Sequence, residues 1–197
     1  LRHTLFPYTT LFRSDAGGPE RYPSPPRGVV VRRLTHDWAA GIVRGAPDGK
    51  RIAYFGRDTE GRPQVFVIAA DGSDRSGDPA KRPIQVTSLE HGTEAGLRWH
   101  PDGRSILCLS DGGVAAVCAD PASERFGETV WVTPHGDGRE RYAPAVSPDG
   151  RLVAWNAAAP TTGPDGERAR NYAGQDFSQI FVAPFPDSDG DGVPGAG

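Results

Sequence analysis

Apolar positions in this chain fall in short runs of five or six residues, each closed by a polar turn, without the three-to-four spacing of a helix. Three of these runs follow the same turn. Lys50-Arg51-Ile52-Ala53-Tyr54-Phe55 comes after Ala46-Pro47-Asp48-Gly49, and Arg104-Ser105-Ile106-Leu107-Cys108-Leu109 after His100-Pro101-Asp102-Gly103. The third, Arg151-Leu152-Val153-Ala154-Trp155-Asn156, comes after Ser147-Pro148-Asp149-Gly150. Proline fixes φ at the first corner, aspartate hydrogen-bonds locally, and glycine takes the positive φ that a Cβ resists. Each copy therefore marks a hairpin tip, and each run after it reads as a largely buried strand.

A further strand follows each of these: Gln64 to Ala69, Val114 to Ala119 and Gln179 to Ala183. Each unit opens with an outer strand ending in Leu/Val-Thr, at Leu34-Thr35, Val86-Thr87 and Val132-Thr133. The tip prolines Pro47, Pro101 and Pro148 are 54 and then 47 residues apart. Four strands at that period are the signature of propeller blades. The sequence thus predicts an all-β fold, a partial β-propeller of about three four-stranded antiparallel blades, with repeats at about 29–82, 83–128 and 129–197. Almost no helix is expected. Three blades do not close a ring, so the sequence reads as a fragment whose open blade edges invite self-association.

The segment before the first repeat reads differently. Leu1 to Ser14 looks like the in-frame translation of a sequencing-library adapter and is set aside from the fold. Residues 15–28, with Gly17-Gly18-Pro19 and Pro23-Ser24-Pro25-Pro26, form a Pro/Gly-rich linker that cannot build sheet. Order is expected from Val29-Val30-Val31. The chain has no Met, so its true start, with any targeting signal, is expected to be missing.

Composition changes this picture little. A formal net charge of -3 gives no electrostatic footprint for nucleic acid, and no apolar stretch is long enough for membrane insertion. Cys108 and Cys118 fall on neighbouring strands. A turn over Asp111-Gly112 pairs Leu109 with Val114 and Cys108 with Ala115, and Cys118, three residues on, points to the opposite face. Both are read as buried free thiols.

The repeats resemble those of the TolB-like β-propellers, with their Ser-Pro-Asp-Gly-Arg/Lys tip, Ile-Ala-Phe-like strand and Leu-Thr ending, from Val29 to about Ala183. Pro25-Pro26-Arg27-Gly28-Val29-Val30-Val31-Arg32-Arg33-Leu34-Thr35 more narrowly resembles an uncharacterised bacterial family of such propellers. The resemblance implies a fold and leaves function open, because such propellers include periplasmic scaffolds, peptidase-linked propellers and metal-dependent oligogalacturonate lyases. A periplasmic location follows only if the chain is TolB-like in this respect as well.

Blade geometry sorts the loops. Outer-to-inner connections and the loops between second and third strands emerge on one face, which here carries Thr35-His36-Asp37, Thr87 to His91, Thr133-Pro134-His135 and the insertion Ala157 to Ser178. His36, His91 and His135 each sit in one such loop, and three imidazoles could hold a divalent transition metal with positions left for substrate. Asp37 and Glu90 could orient the rings. Asp187, Asp189 and Asp191 in Asp187-Ser188-Asp189-Gly190-Asp191-Gly192 match the opening of a calcium loop. Trp99, Trp131 and Trp155 read as core or blade-interface residues, and His100 as structural. No nucleophile elbow, His-Glu-x-x-His or phosphate-binding glycine loop is present in the sequence. The sequence therefore favours a non-enzymatic binding scaffold with a protein partner. The alternatives are a metal-dependent oligogalacturonate-lyase-like enzyme and the propeller part of a serine peptidase.

Overall fold

The structure, a computed structural model, describes residues 25, 27–31, 34–35, 39–71, 82–93, 95–187 and 193–195. The chain divides into two units, Leu1–Arg33 and Leu34–Gly197. In the first, Val29, Val30 and Val31 are exposed and carry no strand. That departs from the order expected there. An outer strand forms only against the third strand of a preceding sheet, and no such strand precedes these valines among the described residues.

The second unit is built from antiparallel sheets, and the described residues include no helix. The first sheet is β1 (Ala39–Gly45), β2 (Arg51–Arg57), β3 (Pro63–Ala69) and β4 (Ile84–Gln85), hydrogen-bonded in that order. The second is β5 (Ala95–Trp99), β6 (Ser105–Ser110), β7 (Gly113–Cys118) and β8 (Thr129–Trp131). The third contains β9 (Arg141–Val146), β10 (Leu152–Ala158) and β13 (Ser178–Pro184), with the hairpin β11 (Thr161–Thr162) and β12 (Arg168–Ala169) inserted between β10 and β13. The fold is a partial β-propeller. Each sequence repeat gives its first strand to the preceding sheet, so β4 and β8 close sheets whose other strands lie before them.

All three Pro-Asp-Gly tips cap a hairpin between the first and second strands, with Gly49, Gly103 and Gly150 at φ 69°, 76° and 78°. The tips are also tied to one another. Arg51 Nη2 donates to the Gly103 carbonyl at 2.6 Å, and His100 Nε2 donates to the Gly150 carbonyl at 2.9 Å. His100 is buried, its Nδ1 lies 2.8 Å from Asp102 Oδ1, and its ring packs on Phe185 at 4.4 Å. Its role is structural, as expected.

The Leu/Val-Thr ending has a physical cause. Val65 N–H donates to Thr87 Oγ1 at 2.9 Å, and Val114 N–H donates to Thr133 Oγ1 at the same distance. The hydroxyl extends each short outer strand's ladder by one bond. Thr87 in turn donates to Gln64 Oε1 at 2.7 Å, and Gln64 Nε2 donates to the Leu89 carbonyl at 2.8 Å, which satisfies a fully buried amide.

Two apolar layers separate the three sheets. Ala53, Phe55, Val65 and Val67 of the first meet Leu97, Ile106, Cys108, Ala115 and Val117 of the second. Leu107, Leu109, Val114 and Ala116 face the other way, toward Val153, Val146, Trp155 and Phe185. Strands β6 and β7 are therefore buried on both faces, which explains why they read as unbroken apolar runs. The register Leu109↔Val114 and Cys108↔Ala115 is the one expected, and both cysteines are free and buried. Trp99 and Trp131 pack on the first layer, Trp155 on the second.

The bulge on every first strand has no obvious sequence signal. Pairing slips between Ala40 and Val43, between Ala95 and Arg98, and where Tyr142 and Ala145 face β10. Gly96 takes φ 76° there, whereas its counterpart Ala143 takes φ 46° with a side chain present.

Candidate functional site

Two adjoining clefts, of about 600 and 390 Å³, open on the loop face between the second and third sheets. This is the face on which the sequence places ligand chemistry. The larger is lined by Val132, Thr133 and Pro134 on one side and by Ala157 to Pro160, Arg168 and Asp176 of the insertion on the other. The smaller runs from Ala95 and the turn Asp111-Gly112 to Tyr142. Residues 138–141 line both and form the ridge between them.

The ridge is locked from below. Asp111 (φ 46°) and Gly112 (φ 73°) make the two-residue β6–β7 turn with positive φ at both central positions, as a type I′ hairpin requires. A Cβ on Gly112 would lie 2.4 Å from the Arg139 carbonyl, so only glycine lets the ridge approach. The buried Arg141 grips Asp137 with two bonds of 2.8 Å, and Arg141 Nη1 also donates to the carbonyls of Gly112 (3.2 Å) and Arg139 (2.9 Å). That fork, with a further bond from the Arg139 N–H, holds the Asp137 carboxyl well below the usual carboxylate range, and the Arg141 pKa is raised by the same pair.

The far wall is clamped in the same way. Arg168 meets Asp176 with Nε–Oδ1 at 3.0 Å and Nη2–Oδ2 at 2.6 Å, lowering the carboxyl's pKa and raising the arginine's. Between ridge and wall lies the cross-strand pair Trp155↔Phe181, ring centres 6.1 Å apart and nearly parallel. Phe181 is 37% exposed, Phe177 42%, and Tyr172, at the end of the insertion, fully so. Arg139 forms no ion pair with a described carboxylate, and it lines both clefts. The site thus offers aromatic faces, the Arg139 guanidinium, and walls held by internal ion pairs.

The two described loop histidines occupy different places. His135 stacks on Trp131 at 3.7 Å, with Nδ1 3.6 Å from Asp111 Oδ2. A Cβ on Gly113 would fall 2.7 Å from His135 Cβ, so the loop is seated directly on β7. In the sheet before, the place two residues after the threonine belongs to Leu89, and His91 lies two residues further on, on an exposed turn. His36, Asp37, Asp189 and Asp191 lie outside the described residues. Asp187 is described, with its N–H donating to the Phe185 carbonyl at 2.8 Å. Among the described residues no group of three or more His, Cys, Asp or Glu side chains gathers to hold a metal ion.

The sequence reading missed the ridge Gly138-Arg139-Glu140-Arg141, the clamp Arg168–Asp176, and Trp155 as a cleft floor. A usable signal was the charge density of Asp137-Gly138-Arg139-Glu140-Arg141 directly after a predicted ligand-face loop.

No family model matches the chain. Over 144 residues it is 33% identical to YidR, an uncharacterised protein of Escherichia coli strain K12. That stretch is 68% of this chain and 32% of YidR, so the chain spans about a third of the curated relative's length. Two solved structures resemble it in fold. TolB from Acinetobacter baumannii aligns at 19% identity and a TM-score of 0.45, covering 80% of this chain and 31% of TolB. An oligogalacturonate lyase from Vibrio parahaemolyticus aligns at 13% identity and a TM-score of 0.43, covering 58% of this chain and 27% of the lyase.

Proposed function

We propose that this chain is part of a TolB-like propeller that serves as a non-enzymatic protein-binding scaffold, with the partner seated on the loop face over the two clefts. The observation that carries the reading is the stacked pair Trp155–Phe181 in the larger cleft, between walls pinned by Arg141–Asp137 and Arg168–Asp176, with Phe177 and Tyr172 exposed on the insertion. Aromatic side chains on a pre-organised surface supply contact area at small ordering cost, and together with arginine they dominate binding hot spots. Arg139, on the ridge between the two clefts, adds a charged donor in the middle.

The test is site-specific photo-cross-linking in bacterial cells, with the cross-linker at Phe177 or Tyr172 on the loop face and at Lys50 on the tip face. The expected result is a discrete protein adduct from the loop-face positions alone, weakened by Phe181→Ala and Arg139→Ala. Equal labelling from both faces, or none from the loop face, would overturn the reading. Cleavage of an acidic polysaccharide that needs added divalent metal and is lost in His135→Ala would replace it with the enzymatic alternative.

A further inference from the structure

The third sheet lacks the strand that completes the other two. Its order is β13-β10-β9, so β13 is its edge, and among the described residues no outer strand pairs with it. In the first sheet Val65 N–H donates to Thr87 Oγ1 and its carbonyl accepts from Val86 N–H at 2.8 Å; in the second, Val114 does the same with Thr133 and with Val132 N–H at 2.9 Å. Pairing puts Ile180 at this position in the third, since Asn156↔Ile180 repeats Phe55↔Val65 and Leu109↔Val114, each eight residues after a tip proline. Gln179-Ile180 also repeats Gln64-Val65. Gln64 Oε1 accepts from the Thr87 hydroxyl, whereas Gln179 Nε2 donates to Thr161 Oγ1 in the insertion at 2.9 Å. Val65 and Val67 are 0% and 5% exposed, but their counterparts Ile180 and Val182 are 85% and 62% exposed. The same chain carries an outer-strand sequence that no sheet uses. Leu34-Thr35 repeats the endings Val86-Thr87 and Val132-Thr133, and Val29, Val30 and Val31 ahead of it are 51%, 79% and 58% exposed. Within one copy the two cannot meet. Thr35 lies four residues before β1, a reach of at most about 14 Å, whereas two face-to-face packings of about 10 Å each separate the first sheet from the third.

We infer that residues 29–35 of one copy dock on the β13 edge of a second copy as its missing fourth strand, and that two chains exchange this strand in a closed dimer. The docked strand follows the register of the other sheets: Leu34 N–H donates to the Ile180 carbonyl, Ile180 N–H to Thr35 Oγ1, and the Thr35 hydroxyl to Gln179 Oε1. Two copies of three blade sheets make six, within the range of about four to eight at which propellers close. A two-fold exchange leaves neither copy with an open β13 edge, whereas docking in one direction only would polymerise. The edge is read by the association of the chain with itself, so the inference stands or falls separately from the loop-face reading.

The test is sedimentation velocity on the full 197-residue chain across micromolar concentrations, with circular dichroism confirming the fold of each variant. The expected species is a dimer, at twice 21.0 kDa. Thr35→Val should weaken dimerisation by about tenfold or more, because at least one hydrogen bond is lost at each of two strands. Ile180→Pro, which removes an N–H aimed away from β10, should give a folded monomer. The surface variant Arg170→Gln should dimerise like the wild type. A photo-cross-linker at Val30, in a mixture of isotopically light and heavy chains, should mark residues 178–184 of the other copy. A monomer, an open polymer, a dimer indifferent to both Thr35→Val and Ile180→Pro, or Val30 adducts confined to one chain overturns the inference.

Discussion

The three Pro-Asp-Gly tips form a built-in series for one substitution. Gly49, Gly103 and Gly150 share the positive-φ conformation, so alanine pays the same backbone cost at each, about 1–2 kcal/mol, less about 0.4–1 kcal/mol regained from the unfolded chain. Their surroundings differ. A Cβ on Gly49 meets nothing within 4 Å, and one on Gly103 meets Arg51 Nη2 at 3.5 Å in ordinary contact. At Gly150 it would lie 2.5 Å from His100 Nε2 and 2.6 Å from Cε1, on a buried ring wedged between Asp102 and Phe185. His100 must move and lose its bond to the Gly150 carbonyl, a further ~1 kcal/mol for the bond and about 1–3 kcal/mol for crowding. Urea unfolding should thus give about 1 kcal/mol for Gly49→Ala and Gly103→Ala and about 3–5 kcal/mol for Gly150→Ala. In a His100→Ala background the clash is gone, and Gly150→Ala should fall back to about 1 kcal/mol, a coupling of at least ~2 kcal/mol. Equal costs at all three tips, or a Gly150→Ala cost indifferent to residue 100, would refute the claim that His100 welds the second tip to the third.

Thr87→Val strips partners from the Val65 N–H and the fully buried Gln64, whereas Thr133→Val strips them from the Val114 N–H and from the carbonyl of the exposed Pro134, which water can satisfy; urea midpoints should show about 2–4 kcal/mol for the first and about 1–2 kcal/mol for the second. Asp137→Asn should be less stable than wild type at neutral pH, and the two should converge in strong acid. A carboxyl whose folded pKa is depressed contributes fully above its ordinary 3.8 and loses that contribution as pH falls through the folded value, so an undiminished gap at about pH 2 and below would count against the Arg141 fork. Burial pushes the Cys108 thiol up to about 12, and both cysteines are fully buried, so thiol reagents should label neither in the folded chain and both in urea.

How far the fold was legible follows from where its causes lie. The tips, the Val-Thr endings and the doubly buried runs each express a local rule, glycine at positive φ, a hydroxyl completing a ladder, apolar residues on both faces, and such rules survive in the sequence. The Cys108↔Ala115 register was legible for the same reason, since Asp111-Gly112 is a strong two-residue turn. Bulges were not legible, because Gly96 and Ala143 share a position without sharing a residue type. The described loop histidines share no position, because His135 stands where the preceding repeat has Leu89, which leaves His91 two places beyond.

The clefts lie where the repeats stop agreeing, and a physical reason connects the two facts. Where Gln64 fills the start of β3 and bonds Thr87 and Leu89, its counterpart on β7 is Gly113, and the vacated space admits His135 and Trp131. The following loop thereby drops onto the β6–β7 turn and is fixed there by Gly136 N–H to the Asp111 carbonyl at 2.9 Å. That descent carries Asp137 under Arg141 and lifts Arg139 between the clefts. On the other side, among the described residues the third sheet alone carries a hairpin insertion, and its Arg168–Asp176 clamp raises the opposite wall. Strain is concentrated at the same junction, since Ala143, next to cleft-lining Tyr142, holds the positive φ that glycine takes on β5. Positions that repeat build the sheets and tie them together; positions that break the repeat, Gly113, His135, Arg139, Ala143 and the insertion, shape the one surface that differs between copies. Exchanging Gly113 for glutamine should therefore eject His135 and collapse the ridge without disturbing the strands, and a loop face that kept its cross-linked partner after that change would sever the link between broken repeat and binding.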